Sequence, residues 1–376
     1  MQQACPLKLL AIGNKMRVFL GCSDIASFLP HLATALGKNT EISKCTLFLS
    51  STHRYCINPY QKSKLSYSLV CKSPLSILFS LQSKPLIKAI LPPFAVLFMF
   101  LLRLYIVIWA VFKIDAFLFI SGKSLLPFGL DAKLFRLFGK RIIHIYLGTA
   151  SRPRFMAVRC KHRDNPDKMK TWLSKLARRI DRQARRIKRN DRHADLIIDS
   201  PLCGHYHAKS FINWFHVGFP YEPQTIKDTE KTEKLPDAIR IVHSPSVPAI
   251  KGSVEINEVI NSLKDDGYTI DFIQLTGVPR HEVLEELDKC DLVIDQLYSD
   301  TPMANFACEA AAHSRIAIVG GYGWDELKKW MPAEMPTEGL CYPDELKSKL
   351  QQLLDDRDLI KALGKKAQHF ITTYWS

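Results

Sequence analysis

Short apolar runs alternate with segments of helical period along most of the chain. In the first half, the runs that predict buried strands are 16–21, 45–50, 116–120, 141–147, 195–198 and 215–218. The helical patterns there cover 24–36, 125–138 and 167–192. Short strands separated by helices are typical of βαβ units, whose strands pair in parallel. The first half is therefore predicted to form a Rossmann-like α/β domain.

A second alternating series starts at residue 238. Its predicted strands are 239–243, 270–274, 292–294 and 316–319, and its predicted helices are 252–264, 280–288, 302–313, 325–330, 343–354 and 357–373. The segment 219–237 before it is polar and contains three prolines, which is typical of a linker. We therefore predict two Rossmann-like doubly wound domains facing a cleft, over residues 1–218 and 238–356. Residues 357–376 are predicted to form a C-terminal helix that packs back toward the first domain.

One segment, 86–112, is apolar enough to raise the question of a membrane span. Pro92 and Pro93 interrupt its first third, and Arg103 near the middle of the remainder would cost about 2.5–3.5 kcal/mol at the bilayer centre. A span would also divide one sheet between the two sides of the membrane. The residues therefore favour a helix in the membrane interface, while a span and a buried core helix stay open. The residues of this helix predicted to meet the membrane are Phe98, Leu102, Arg103 and Ile106.

The net charge of +15 is concentrated in the first half of the chain. Residues 1–150 carry 18 Lys and Arg against four acids, residues 151–193 carry 16 against four, and the remainder carries 18 against 29. Such asymmetry indicates that the basic half faces an anionic surface. Because no nucleic-acid motif accompanies the charge, we expect an anionic membrane and no nucleic acid as partner. The cations of the helix 167–192 predicted to meet the membrane include Arg178, Arg182 and Arg185.

The composition, with 47% hydrophobic and 24% charged residues, is that of a globular protein. It excludes disordered, collagen-like and coiled-coil chains. Ten cysteines without a C-x-x-C pair argue against a zinc ribbon or a dithiol redox centre and fit a reducing compartment. Cys203, His205 and His207 are interpreted as packing or surface residues, because their spacing is not that of a metal site.

Several motifs of the second domain follow a predicted strand or open a predicted helix. In chain order they are I-V-H-S-P-S at 241–246, K-G at 251–252, V-P at 278–279, D-L-V-I-D-Q at 291–296 and N-F-A-C-E-A-A-A-H at 305–313. This succession resembles the nucleotide-sugar half of group-1 glycosyltransferases with the GT-B fold, especially those of capsule and lipopolysaccharide biosynthesis. In the first domain, residues 19–26 resemble the family's opening strand and loop, and residues 146–152 resemble its G-S-D-x-R segment.

The resemblance implies a site for a nucleotide-sugar donor in the second domain. Lys251 would add a positive charge beside the diphosphate, Glu309 would accept hydrogen bonds from ribose hydroxyls, and the backbone at Val278 would meet the base. The predicted donor-binding residues are Ser246, Lys251, Gly252, Val278, Thr301, Asn305 and Glu309. The predicted catalytic residues are Asp300 and Lys251.

The start of the predicted helix 302–313 is expected to help bind phosphate. Asp300 and Thr301 supply a capping side chain, and Pro302 suits the first helical position. The free N–H groups and positive dipole end of such a helix favour an anion.

Two departures from the family pattern bear on activity. Thr301 stands where the family has the first glutamate of a Glu-x7-Glu pair, and Ala150 replaces the aspartate of the G-S-D-x-R segment. The neighbouring Asp300 is a candidate substitute for the missing glutamate. The residues predicted on the acceptor or cleft side of the first domain are Gly21, Ser23, Asp24, Gly148 and Arg152.

The expected function is transfer of a sugar from a nucleotide-sugar donor to a lipid-linked or surface-polysaccharide acceptor. We expect a cytoplasmic protein bound peripherally to the inner face of the cell membrane. The resemblance implies that no metal is needed, and no cofactor is expected, since the nucleotide sugar is a substrate. The alternative is a catalytically silent relative that serves as a glycan-binding or scaffold subunit of a polysaccharide assembly complex, which Thr301 and Ala150 motivate.

Overall fold

The computed structural model describes residues 15–22, 28–49, 67–70, 85–154, 166–219 and 238–375. Its contacts divide the chain into two compact units. The first unit comprises Met1–Asp199 with Cys203–Ile212, and the second comprises Ser200–Leu202 with Asn213–Ser376. The residues 213–218, predicted to end the first domain, thus belong to the second unit. The predicted linker lies outside the described residues from 220 to 237.

A seven-stranded sheet runs through the first unit. Its strands are β1 (Met16–Gly21), β2 (Ile42–Leu49), β3 (Tyr67–Val70), β4 (Ala116–Ile120), β5 (Arg141–Ile145), β6 (Leu196–Asp199) and β7 (Ile212–Asn213). They lie in the order β3-β2-β1-β4-β5-β6-β7, and β1 to β6 pair in parallel. The winding reverses between β1 and β4, which is the doubly wound arrangement that the alternating pattern predicted.

Aromatic side chains fill the core on one side of this sheet. Every residue of β4 is buried, as expected for a parallel strand covered on both faces. Phe117 of β4 stacks on Phe135 of the helix Leu130–Leu137, with ring centroids 3.8 Å apart. The remaining described α-helices of the first unit are Phe28–Gly37, Pro85–Lys113 and Pro166–His193.

The apolar helix, Pro85–Lys113, packs one side of its second half against this core. Ile106 is 4% exposed and packs with Val107 and Ala110, so the prediction that Ile106 meets lipid is wrong. Positions 106, 107 and 110 share one face of a helix, and that face covers the sheet.

The opposite side of the apolar helix exposes large apolar side chains. Its outward residues are Leu97, Phe98, Phe100, Leu101, Tyr105, Ile108 and Phe112. Leu102 and Arg103 are half-buried, and Arg103 Nη1 lies 3.5 Å from the Leu125 carbonyl oxygen. Within the described ranges, none of the helices combines the length and the hydropathy that a membrane span needs.

The basic helix, Pro166–His193, packs a mainly polar face against the rest of the first unit. Its buried residues are Gln183, Ile187, Asn190 and Asp191. Gln183 Nε2 donates to the carbonyls of Ala150 and Arg152, at 3.1 and 2.9 Å. Arg178, Arg182 and Arg185 are exposed.

The strand predicted at 215–218 is a short 3-10 helix, Trp214–His216. The Asn213 side chain caps it by accepting from the Phe215 amide at 3.0 Å. Aromatic packing explains the apolar run, since Trp214 lies 5.6 Å from Trp375 between ring centroids. The Trp375 indole also donates to the Phe215 carbonyl at 3.0 Å.

The second unit contains a five-stranded parallel sheet. Its strands are β8 (Ile239–His243), β9 (Ile270–Gln274), β10 (Leu292–Ser299), β11 (Ile316–Gly321) and β12 (Leu340–Cys341). Their order, β12-β11-β10-β8-β9, is that of a flavodoxin-like doubly wound sheet, and the winding reverses between β8 and β10. The helices are Pro248–Lys251, Ser253–Asp265, Arg280–Lys289, Asn305–Ala312, Trp324–Lys328, Leu346–Leu354 and Arg357–Phe370.

The C-terminal helix, Arg357–Phe370, packs within the second unit. Ile360 is part of the hydrophobic core beneath β8, β10 and β11. Gln368 Nε2 donates to the Ala312 carbonyl at 2.9 Å, and a Cβ on Gly364 would lie 2.1 Å from the Ser314 carbonyl oxygen. Arg357–Phe370 is thus packed closely against the helix Asn305–Ala312 and the turn that follows it, and its packing toward the first domain stays a prediction.

Candidate functional site

The loops after β8 and β10 adjoin each other at the point where the winding of the second sheet reverses. Ligands of doubly wound sheets bind outside the carboxyl ends of the strands at such a point. The loop and short helix after β8 carry Ser246, Lys251 and Gly252, and the loop after β10 carries Asp300 and Thr301. The topology therefore brings these predicted donor residues to one edge of the sheet.

Lys251 forms an ion pair with a buried carboxylate of β10. Its Nζ lies 3.3 Å from Asp295 Oδ1, and the two side chains are 19% and 1% exposed. Asp295 Oδ2 is buried and has no hydrogen-bond partner among the described residues. A carboxylate so deeply buried requires an opposite charge. An ammonium has three N–H donors, so Lys251 can hold Asp295 and a phosphate oxygen together.

Gly252 allows the segment after Lys251 to approach β10 closely. Its φ is +77°, a conformation that side chains other than glycine rarely adopt. A Cβ at this position would also lie 2.6 Å from Leu297 Cβ. Both constraints require glycine here, which explains the K-G motif in structural terms.

His243, the last residue of β8, ties the strand to its neighbours. Its Nδ1 donates to the Ile294 carbonyl at 2.7 Å, so Nε2 accepts from the Ser253 hydroxyl at 2.8 Å when the ring is neutral. Burial lowers the pKa of His243 and favours this neutral form. The histidine therefore fixes the start of the helix Ser253–Asp265, next to Lys251. Ser246 lies exposed in the intervening loop.

Glu309 is held by two donors. Arg280 Nε lies 2.8 Å and Asn305 Nδ2 lies 3.2 Å from the same oxygen, Glu309 Oε1. Their side chains are buried in part: Glu309 is 6% exposed and Arg280 is 16% exposed. Val278, half-buried, precedes Arg280 by two residues in the loop after β9. Arg280 therefore links two predicted contacts of the donor. It lies two residues after Val278, which is predicted to meet the base, and it bonds to Glu309, which is predicted to meet the ribose.

The loop after β10 differs from its prediction. The helix begins at Asn305, with Ala304 as its N-cap, and not at Pro302. β10 extends to Ser299, whose hydroxyl donates to the Thr301 carbonyl and accepts from the Thr301 amide, at 2.8 and 3.1 Å. These bonds hold residues 299–301 in a turn, so Asp300 and Thr301 are not helix-capping residues.

The side chains of this loop are largely enclosed. Asp300 is 7% exposed, and the Thr301 hydroxyl is buried without a hydrogen-bond partner among the described residues. The catalytic role of Asp300 stays a prediction. Within the described ranges, no group of three or more His, Cys, Asp or Glu side chains is placed to hold a metal ion.

Three of the residues predicted on the acceptor side lie at the carboxyl edge of the first sheet. Gly21 ends β1, next to the point where the winding of that sheet reverses. Gly148 opens the 3-10 helix Gly148–Ala150 after β5, and the Arg152 amide donates to the Gly148 carbonyl at 3.1 Å. Ser23 and Asp24 lie outside the described residues.

A cluster of buried charge lies beside this edge. His207 Nδ1 is 3.1 Å from Asp191 Oδ1, and His207 Nε2 is 2.8 Å from Asp199 Oδ2. Asp199 Oδ1 also accepts from the Ser151 hydroxyl at 2.8 Å. Burial opposes a charge on His207, but its hydrogen bonds with the two carboxylates outweigh burial and raise its pKa to about 9. His207 is therefore a packed cation; Cys203 is buried and His205 exposed, in agreement with the interpretation of all three.

Sequence reasoning missed Arg280, Asp295, Asp191 and Asp199 as partners of the residues it singled out. Arg280 is the first residue after V-P, and Asp295 lies inside the quoted strand motif, so both were near recognised signals. Their partners are 29 and 44 residues distant along the chain, and no local spacing connects them.

Comparison with known proteins identifies the fold. No family model matches the chain, and no curated protein matches it in sequence. Among solved structures it is similar to HepE of Anabaena in complex with UDP and glucose, with 11% identity over 96% of both chains and a TM-score of 0.54. It is also similar to sucrose-phosphate synthase of Thermosynechococcus elongatus, with 12% identity over 96% of this chain and 95% of that one and a TM-score of 0.52.

The same fold occurs with another activity. A putative UDP-N-acetylglucosamine 2-epimerase of Listeria monocytogenes is 12% identical over 95% of this chain and 92% of that one, with a TM-score of 0.50. Fold alone therefore does not choose between transfer and epimerisation. What the likeness shows is that this chain has the GT-B fold, two parallel-sheet α/β domains, as the motifs predicted.

Proposed function

We propose that the protein transfers a sugar from a nucleotide-sugar donor bound at the carboxyl edge of the second sheet. The observation that carries the proposal is the pair of charged groups at the loops of this edge, Lys251 beside Asp295 and Glu309 beside Arg280. The similarity to HepE, which is solved with UDP and with UDP-glucose, supports a uridine nucleotide as the first ligand to test.

Each group has a part in the proposed chemistry. Transfer breaks the bond between the anomeric carbon of the sugar and a phosphate oxygen, and the diphosphate leaves with added negative charge. A fixed ammonium such as Lys251 stabilises that charge most when it develops. Glu309 would hold the ribose hydroxyls and so fix the donor relative to Lys251.

Binding of UDP to single variants tests the donor site. Lys251→Ala and Glu309→Ala should each weaken binding by about 1.5–3 kcal/mol, or roughly tenfold to a hundredfold, because each removes a charge-assisted contact. Isothermal titration calorimetry measures the change. Lys347→Ala is a matched control, since Lys347 pairs with Asp266 at 2.8 Å in the same unit, away from the loops after β8 and β10. Unchanged UDP affinity in both site variants would refute the assignment.

A silent relative is the second candidate, because Thr301 occupies the position of a family carboxylate. Its hydroxyl is neutral, and it is buried without a partner among the described residues, so it supplies no charge there. UDP-glucose, and a panel of other UDP-sugars, separates the candidates: an enzyme releases UDP with acceptor or slowly by hydrolysis, and a scaffold binds without release. Asp300→Asn should abolish release if Asp300 substitutes for the missing carboxylate.

We also propose a lipid-linked or surface-polysaccharide acceptor, which the first unit would bind at the cytoplasmic face of the membrane. The outward side of the apolar helix supports this. Leu97, Leu101, Tyr105, Ile108 and Phe112 recur at helical spacing, and each is more than half exposed. A contiguous exposed apolar surface of this kind marks a lipid or protein contact.

Charge supports lipid over protein as the partner of that surface. Lys113 follows Phe112 and is exposed. Phe138 continues the apolar surface, with its ring 6.3 Å from that of Phe112, and the adjoining helix Leu130–Leu137 exposes Lys133. Apolar side chains bordered by lysines suit the interface of an anionic bilayer.

Vesicle flotation tests the membrane proposal. The full chain should bind vesicles that contain phosphatidylglycerol and stay bound at about 1 M salt, because salt screens the lysines but not apolar burial. Replacing Leu101, Tyr105 and Phe112 with serine should make binding salt-sensitive. Replacing Val254 and Trp330, equally exposed apolar residues of the second unit, should not. Complete release of the wild type by salt would refute lipid contact by the apolar helix.

A further inference from the structure

Arg280 joins two loops of the proposed donor site. It is the first residue of the helix Arg280–Lys289, directly after the loop that follows β9. Its partner Glu309 lies on the helix Asn305–Ala312, which follows β10. Arg280 Nε and Asn305 Nδ2 donate to one oxygen, Glu309 Oε1, at 2.8 and 3.2 Å. Two donors from different elements thus fix the direction of the carboxylate.

The choice of an arginine has a chemical consequence. Arg280 places a permanent positive charge against Glu309, whose side chain is only 6% exposed, because a guanidinium stays charged at every physiological pH. An ionised carboxylate accepts hydrogen bonds and donates none. Arg280 therefore keeps Glu309 as an oriented acceptor, which matches hydroxyl groups and offers nothing to a sugar that lacks them.

We propose that Arg280 is a positioning residue that makes donor binding depend on the ribose hydroxyls of the nucleotide. The inference rests on the proposed function, because it needs the donor at this edge of the sheet. Without Arg280, Glu309 loses both its fixed direction and the charge beside it. The contact of Lys251 with the diphosphate does not pass through Arg280 and should persist.

Comparison of UDP with 2′,3′-dideoxyuridine diphosphate tests the proposal, because the two ligands share base and diphosphate. Calorimetry on the full chain gives the ratio of their dissociation constants. The wild type should prefer UDP by roughly tenfold or more, as expected for a hydrogen bond to a charged group. Arg280→Gln should bring the ratio close to one. A merely structural loss would weaken both ligands alike and leave the ratio unchanged.

Arg240→Gln is the matched control. Arg240 Nε lies 2.7 Å from Asp271 Oδ2, and its side chain is 13% exposed, but it stands near the start of β8, at the opposite edge of the same sheet. This variant should keep the wild-type ratio. Asn305→Ala removes the other donor to Glu309 Oε1 and should lower the ratio, so it supplies the test if Arg280→Gln fails to fold.

The outcomes separate the inference from the proposed function. A wild-type chain that binds neither UDP nor ADP nor GDP contradicts the proposed function, and the inference falls with it. A wild-type chain that binds UDP but shows no preference over the dideoxy ligand overturns the inference alone. The same holds if Arg280→Gln, or Asn305→Ala in its place, keeps the wild-type ratio.

Discussion

Buried ionic groups lie in both units, but they differ in access to solvent. In the first unit, His207 lies between Asp191 and Asp199, and all three side chains are at most 2% exposed. In the second unit, Arg280 beside Glu309 and Lys251 beside Asp295 keep 16% and 19% of their side chains exposed. A ligand can therefore reach the cations of the second unit, whereas His207 contacts only its own protein.

The nature of the cation differs as well. His207 can lose its proton within the range in which proteins stay folded, and its cluster then becomes two carboxylates around a neutral ring. Arginine does not titrate in that range. A binding group must keep its charge, while a packing group needs it only for stability. Buried charge by itself therefore does not identify a binding site.

The largest effect is expected on the free energy of unfolding, from a substitution that breaks the His207 cluster of the first unit. His207→Gln removes the cation and leaves Asp191 and Asp199 buried with like charges. Loss of one partner from a buried ionic group costs about 3–5 kcal/mol. Urea denaturation followed by circular dichroism should show a loss of that order in the free energy of unfolding, with UDP affinity of the folded protein unchanged. A loss below about 1 kcal/mol would contradict a structural role.

The pH dependence of stability should differ between that variant and the wild type. The folded pKa of His207, about 9, lies above its ordinary value of 6.5, so the folded state binds the proton more tightly. The resulting stability is complete below pH 6.5 and is lost as the pH rises through 9, at about 1.4 kcal/mol per unit and about 3 kcal/mol in all. Thermal unfolding from pH 6 to 10 should show this alkaline loss in the wild type. The same loss in His207→Gln would assign it to other groups.

The loss of stability at acid pH should persist in His207→Gln. Burial lowers the pKa of His144 to about 4, so its contribution is present above pH 6.5 and is lost as the pH falls toward 4. His144→Phe should weaken the acid loss and leave the alkaline loss in place. An unchanged acid loss in that variant would exclude His144 as its source.

The smallest expected effect concerns the second unit. Thr301 buries a hydroxyl without a partner among the described residues, and Thr301→Val keeps its shape while it removes that polar atom. The free energy of unfolding should rise by about 1 kcal/mol, because an unsatisfied buried group is eliminated. UDP affinity should not change. A fall in UDP affinity would show instead that the hydroxyl finds its partner in the ligand, as the predicted donor-binding role of Thr301 requires.

Strands were predictable where the sequence pattern alone determines them. The predicted strands at 239–243 and 270–274 are β8 and β9 to the residue, because both are rich in isoleucine and other residues that favour strands, and both follow polar turn segments. The prediction failed at 215–218, where Trp214 and Phe215 pack as aromatic rings near Trp375. Local pattern does not distinguish a strand from an aromatic cluster.

The candidate site was predictable in its residues but not in its contacts. Lys251 and Glu309 were predicted from the resemblance of their motifs to those of group-1 glycosyltransferases, and a carboxylate in an otherwise apolar helix is costly to bury without a partner. The capping prediction for Asp300 failed because β10 continues to Ser299, whose hydroxyl binds the amide and carbonyl of Thr301 and turns the chain before the helix. The partners Arg280 and Asp295 depend on tertiary contact between distant loops, which residue spacing does not encode.

Hydrogen–deuterium exchange on the full chain, with and without saturating UDP, tests most directly where the donor binds. Slower exchange should appear in the loops at 244–253, 275–281 and 299–305 after β8, β9 and β10, since bound ligand restrains their amides. The segments 148–152 and 203–208 of the first unit, beside the His207 cluster, should exchange at the same rate in both states. Protection confined to the first unit, or absent from all three loops of the second while UDP is bound, would contradict a donor site at the carboxyl edge of the second sheet.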